Sequence, residues 1–196
     1  MMQEFAQQVE DTARAVVGEM HTALPGTIVS FDPGRGTAMV QPAGKYTTAE
    51  GERLNYPQIP DVPVVFPFSQ AGIGMVFPVR SGDGCLIIIS EVELDEWRSG
   101  AESEGTLRFD LTNAVCIPGL LKAGGGLAAQ AAEQNAVILA SGGVSMSLSE
   151  AGIAINGDLK VNGNISSTGS IKAGQIDLQQ HVHKSSEPGT NTGKPE

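Results

Sequence analysis

The spacing of hydrophobic residues divides the chain into three stretches. Near the start, apolar residues recur at three- and four-residue steps, which is the spacing of an amphipathic helix. These residues are Phe5, Val9, Ala13, Val16, Val17 and Met20. Leu24-Pro25-Gly26 ends the pattern, so we assign residues 1–25 to an N-terminal helix. This helix either packs on its own domain or contacts a neighbouring protein of a larger assembly.

In the second stretch, short runs of strand-forming residues alternate with turns rich in Gly, Pro and Asp. The runs that predict strands are Thr27 to Phe31, Thr37 to Pro42, Val62 to Phe68 and Cys85 to Glu91. Such a series is typical of a small, partly closed barrel. We therefore assign residues 26–120 to an OB-fold domain, and the Gly-, Ala- and Gln-rich residues 121–135 to a linker.

The third stretch, residues 136–178, consists of short segments in which every second residue is apolar. Val144, Met146 and Leu148 show this alternation, and Ile153 and Ile155 continue it. Each strand would turn an aliphatic edge to one side, and one chain has neither bulky aromatic residues nor a predicted helix to cover that edge. Three identical chains wound together would bury it. Two alternatives stay open: the strands fold back on the barrel, or they form a single-chain solenoid, for which no repeat of rungs is recognisable.

Composition and charge exclude several function classes. The net charge of -10 disfavours nucleic acid as a partner, because such binding depends on Lys and Arg. Four acidic residues within the first 20 positions are incompatible with a signal peptide. The two cysteines, Cys85 and Cys116, belong to no metal or redox motif and are expected to be buried free thiols. No GxSxG motif or other catalytic constellation is found, so we expect no enzyme.

A histidine pair follows directly after the alternating segments. In an extended strand, His181 and His183 point to one side and Val182 to the other. One chain supplies two nitrogen ligands, whereas three chains supply six, which is an octahedral shell for iron or another first-row transition metal. A pair of solvated histidines near a flexible end is the alternative. The sequence thus predicts a mainly β fold: an N-terminal helix, an OB-fold barrel, and an intertwined trimeric β-helix with a small metal-bound apex.

The end of the chain also carries a family resemblance. The His181-Val182-His183 pair, followed by a Ser-, Pro-, Gly- and Thr-rich tail running to Gly193-Lys194-Pro195, resembles the central spike proteins of contractile-tailed bacteriophages. The segment from Phe109 to Leu120 is similar to the part of those proteins that closes the OB region.

The resemblance implies a homotrimer in the virion, at the tip of the tail baseplate. Its OB collar would be held by baseplate hub proteins, residues 136–178 would form a triangular β-helix shaft, and residues 179–196 would form the apex. One iron ion per trimer would be bound there by His181 and His183 of each chain. Such a spike pierces the host outer membrane mechanically. It would be made in the host cytoplasm without a signal peptide. A trimeric binding module and a spike-associated cell-wall hydrolase are the competing functions.

Overall fold

The computed structural model describes residues 2–18, 20–48, 50–69, 71–102, 107–121, 125–183 and 189. The chain divides into two compact units, residues 1–125 and 126–196. None of the described helices is long and apolar enough to cross a membrane.

The first unit begins with helix α1, Met2–Gly18. All of its residues are exposed, including the apolar stripe that predicts the helix. Leu24-Pro25-Gly26 does not end the helix directly, as the sequence suggested, but lies in the first strand. The glycine is needed in this strand because the backbone passes close to the side chain of Ile87. A Cβ on Gly26 would lie 2.6 Å from Cδ1 of Ile87, so the glycine permits two strands to pack.

The strands and the short second helix of this unit follow in chain order. They are β1 Ala23–Asp32, β2 Thr37–Pro42, β3 Lys45–Thr47, β4 Arg53–Asn55, β5 Ile59–Pro63, β6 Gly84–Ile89, α2 Leu94–Ser99 and β7 Ala114–Pro118. Five strands form an antiparallel sheet in the order β5-β2-β1-β6-β7. β3 and β4 form a separate hairpin.

The two edges of this sheet approach each other. The Val65 N–H donates to the Cys116 carbonyl at 2.8 Å, beside a parallel bridge between Val64 and Cys116. The sheet is therefore an OB-like half-barrel, and the predicted mainly β class and N-terminal helix are confirmed. The predicted strand from Val62 to Phe68 is wrong beyond Pro63. Pro63 and Pro67 have no N–H to donate to a sheet ladder.

The hydrophobic core lies inside the half-barrel. Its buried side chains come mainly from alternate strand positions, as expected for strands that turn one face inward. They are Ile28, Ala38, Val40, Ile59, Val62, Val79, Cys85, Ile87, Ile89, Ala114 and Cys116. Cys85 and Cys116 are free and buried, as predicted. The hydrogen bond that the Cys116 thiol donates to Cys85, together with burial, raises the pKa of Cys116, so this thiol stays protonated.

Asn113 fixes the long excursion between β6 and β7. Its side chain is buried, and its Nδ2 donates to the carbonyls of Ser90, Val92 and Leu107 at 2.9–3.2 Å. Its Oδ1 accepts the Leu94 N–H at 3.0 Å. One amide thus satisfies four backbone groups of the excursion. Asn113 belongs to the segment that carries the family resemblance, so that segment has a structural task.

The second unit has a different character. It contains α3 Gly126–Gln134, β8 Val137–Ser141, β9 Val144–Ser149, β10 Gly152–Asn156, β11 Lys172–Ala173 and β12 Ile176–Asp177. α3 occupies most of the segment that the sequence assigns to a linker. β8, β9 and β10 form an antiparallel meander. No residue within 125–183 is buried.

Part of the predicted shaft is irregular within one chain. Residues 158–162 and 164–169, where the alternation predicts strands, form neither helix nor strand. Alternation of apolar and polar residues is not enough to form a strand, because a strand also needs a neighbouring strand to pair with. The intertwined trimeric β-helix stays a prediction. Of the predicted apex, residues 184–188 and 190–196 lie outside the described residues.

Replacing Asn113 with alanine should destabilise the first unit. Loss of the amide leaves buried backbone groups unsatisfied, which costs about 1–3 kcal/mol. Urea unfolding of the full chain measures the effect, with Asn55→Ala, at an exposed position of β4, as the matched control. Equal unfolding midpoints for the two variants would contradict this role of Asn113.

Candidate metal centre

A tight turn positions the histidine pair. β11 and β12 form a short hairpin, and residues 178–180 turn the chain after it. The His181 N–H donates to the Asp177 carbonyl at 2.9 Å, and the Gln179 N–H donates to Asp177 Oδ1 at 2.9 Å. Asp177 therefore organises the turn from which His181 projects.

The carboxylate of Asp177 is itself held in the ionised state. The Ser170 hydroxyl donates to Asp177 Oδ2. This hydrogen bond, with those of nearby backbone N–H groups, lowers the pKa of Asp177. Sequence reasoning did not single out Asp177 or Ser170. The available signal was an Asp two residues before a possible backbone donor, which is the pattern of an Asx turn.

The hydrogen bonds of His181 fix which ring nitrogen carries the proton. Nδ1 lies 3.2 Å from the Asp177 carbonyl oxygen and 3.0 Å from that of Leu178. Carbonyl oxygens only accept, so Nδ1 of the neutral ring must donate, and Nε2 keeps its lone pair. Metal-binding histidines commonly donate their second ring N–H to a backbone carbonyl in this way.

The structure brings the two predicted ligands together. The ring centroids of His181 and His183 are 5.0 Å apart, with the ring planes at 86°. Metal–nitrogen bonds are about 2.0–2.1 Å long, so two rings whose centres are 5.0 Å apart are near enough to approach one ion. The third histidine, His21, instead contacts Tyr56 edge to face at 5.4 Å.

One chain does not complete a metal shell. Within the part of the chain that the structure describes, no group of three or more His, Cys, Asp or Glu side chains could hold an ion. Two imidazoles per chain nevertheless suit a first-row transition metal, provided that further copies supply the other ligands. The donor set thus fits a metal that several chains share.

The meander before the histidine turn has one strongly apolar face. In the register of its strands, Leu139 and Ile155 lie opposite Met146, and Val137 and Ile153 lie opposite Leu148. We call the side chains on this side the aliphatic face. They are Val137, Leu139, Val144, Met146, Leu148, Ile153 and Ile155.

In a sheet that is stable as a single chain, the apolar side chains should be buried and the polar ones exposed. The meander shows the reverse. Members of the aliphatic face are 39–66% exposed. The alternating serines of β9 are half-buried, and Gln130 and Gln134 of α3 lie beside Ser145 and Ser147. The helix thus lies beside part of the serine side of the sheet, where Ser145, Ser147 and Ile138 are half-buried, and leaves the aliphatic face open. Sequence reasoning missed α3, although the run of Ala and Gln from Leu127 to Gln134 is favourable for a helix.

Comparison with protein families gives a match to the first unit. Residues 24–119 match the family model described as the phage protein Gp138 N-terminal domain. The matched range is just under half of the chain and includes β1 to β7, the whole half-barrel. No curated protein matches the chain. The similarity supports a phage protein related to tail spikes, in agreement with the resemblance carried by the end of the sequence.

Proposed function

We propose that this chain is the central spike of a contractile phage tail and works as a homotrimer. The aliphatic face carries the proposal. Its seven apolar side chains lie open, whereas the serines of β9 on the opposite side lie beside α3 and are half-buried. Contiguous exposed apolar surface of this kind marks a protein–protein contact.

Three copies can bury these faces against one another. Each meander would supply one wall of a triangular prism, with the aliphatic faces inside and the serine sides outside. At ~25 cal/mol per Å² of apolar surface, burial contributes on the order of 1 kcal/mol for each half-exposed side chain. Seven such residues in each of three chains give a stable rod.

The residues after the meander extend the same pattern. Leu159, Val161, Ile165 and Ile171 are exposed in a stretch without regular structure. In the trimer they continue the apolar interior, and their backbone groups pair with neighbouring chains, which removes exposed strand edges. This part corresponds to the intertwined β-helix that the sequence predicts.

The histidine pair would close the rod. Six imidazoles, from His181 and His183 of three chains, form an octahedral shell that suits iron. With the proton on Nδ1, Nε2 of His181 keeps the lone pair that would bind the metal. The turn organised by Asp177 holds the backbone of His181 in place. A shared ion prevents the three chain ends from separating.

In this proposal the task of the protein is mechanical. The half-barrel, similar to a phage domain, would be held by baseplate hub proteins, and the rod would be driven through the host outer membrane. Such work requires stiffness and a narrow closed tip, and no catalysis. That the chain is not an enzyme, and that it sits at the tail tip of the virion, are parts of the proposal.

A charge on the aliphatic face should break the trimer. Leu139→Glu would bury three carboxylates in the interior of the prism, whereas Ala140→Glu places the same charge at an exposed neighbouring position on the opposite side of β8. Burying unpaired charges is costly. Native mass spectrometry should show a monomeric Leu139→Glu variant and a trimeric Ala140→Glu variant. Equal oligomeric states would argue against the proposed prism.

Metal content gives a separate prediction. The purified chain should contain about one iron per three chains, in line with six imidazoles per ion. His181→Ala combined with His183→Ala should remove the iron, whereas His21→Ala should keep it. Elemental analysis of the three proteins measures this. One metal per chain, or iron that survives loss of both histidines, would show that the site is wrongly assigned.

A further inference from the structure

The charges of α1 lie on one side of the helix. At 100° per residue, Glu4, Asp11 and Arg14 lie away from the line through Phe5, Val9 and Val16, whereas Glu10 lies at the border of the apolar stripe, seven residues before Val17. Arg14 Nη2 and Glu10 Oε1 are 2.6 Å apart, and both side chains are exposed. The line through Phe5, Val9 and Val16 carries no charged residue.

Part of the apolar stripe, together with Met2 and the polar Thr12, has the spacing of a coiled-coil seam, whereas Ala13, Val17 and Met20 fall outside it. Met2, Phe5, Val9, Thr12 and Val16 follow one another at steps of three, four, three and four residues, which is the a/d pattern of a heptad. The positions that flank this seam are Ala6, Gln8, Ala13 and Ala15. In other coiled coils these flanking positions often carry the charges that select a partner, but here they carry none.

The stripe needs a cover from outside its own chain. Phe5 is 69% exposed and Val9 53%, and no residue of α1 is buried. A helix in a protein gains most of its stability from packing of its apolar side, and the 17 residues of α1 bury none of it. The described residues of the chain do not provide that packing.

The positions of the charged residues on α1 indicate which kind of partner covers the apolar stripe. α1 carries three acidic residues and one arginine. A basic partner would be recognised through acidic residues beside the seam, yet the immediate flanks hold only Ala and Gln. The same uncharged flanks allow copies of this acidic helix to approach without repulsion, since their carboxylates point away from the common axis.

We infer that α1 of three copies forms a short parallel three-helix coiled coil, with Met2, Phe5, Val9 and Val16 in the seam. The copy number rests on the proposed homotrimer. The helices then make a trimer contact at the opposite end of the sequence from the shared metal. This contact gives the N-terminal helix a task that the spike resemblance does not explain.

Disulfide trapping in the full chain tests this contact. Val9→Cys places a thiol in the seam, and Asp11→Cys places one on the outer side of the same helix. Disulfides need Cα atoms about 4.4–6.8 Å apart, so Val9→Cys should cross-link at least about tenfold faster than Asp11→Cys. A second pair, Val16→Cys and Arg14→Cys, should show the same order. The buried Cys85 and Cys116 are common to all variants, and the unchanged chain measures their background.

The native mass of each variant, measured in parallel, separates the possible results. Preferential cross-linking of both seam cysteines supports the coiled coil. A trimeric mass with equal or no cross-linking overturns the coiled coil and leaves the spike proposal intact; α1 would then be covered by a different protein. A monomeric mass overturns both.

Discussion

An uncovered aliphatic face is the constraint on which the second unit depends. In one chain, β8 to β10 expose Leu139, Met146 and Ile155 while α3 shelters the serines on the reverse side. Exposing a contiguous apolar sheet face in water is unfavourable, and such a face is also a hazard for aggregation. In the proposed trimer, the faces of neighbouring chains cover one another and complete the fold of residues 126–183.

The two units solve the problem of burial differently. The half-barrel of the first unit buries Ile28, Val40 and Ile87 within one chain and uses Asn113 to satisfy the backbone of its longest excursion. The second unit has no buried residue among 126–183, and its histidine pair supplies only part of a metal shell. In the proposed trimer, a symmetric assembly of identical chains completes both the core of the second unit and the ligand set of the histidine pair.

The sequence predicted the features that depend on local pattern. The steps of three and four residues predicted α1, runs of strand-forming residues between turns predicted β2 and β6, and alternation predicted β9. Features set by tertiary contacts were harder to predict. Gly26 looked like a helix stop, but it serves the packing of β1 against Ile87. α3 was not predicted, because the run of Gly before it indicated a linker. Residues 158–169 alternate like strands but do not form strands within the chain. The HxH motif was visible, whereas the Asp177 turn required the structure.

The molar mass of the intact chain in dilute solution tests the central claim most directly. Sedimentation equilibrium should give three times the 20.3 kDa of one chain, because the aliphatic faces bury one another only in the trimer. A folded species of 20.3 kDa that remains soluble would contradict the account, since it would show that a single chain tolerates its open apolar face.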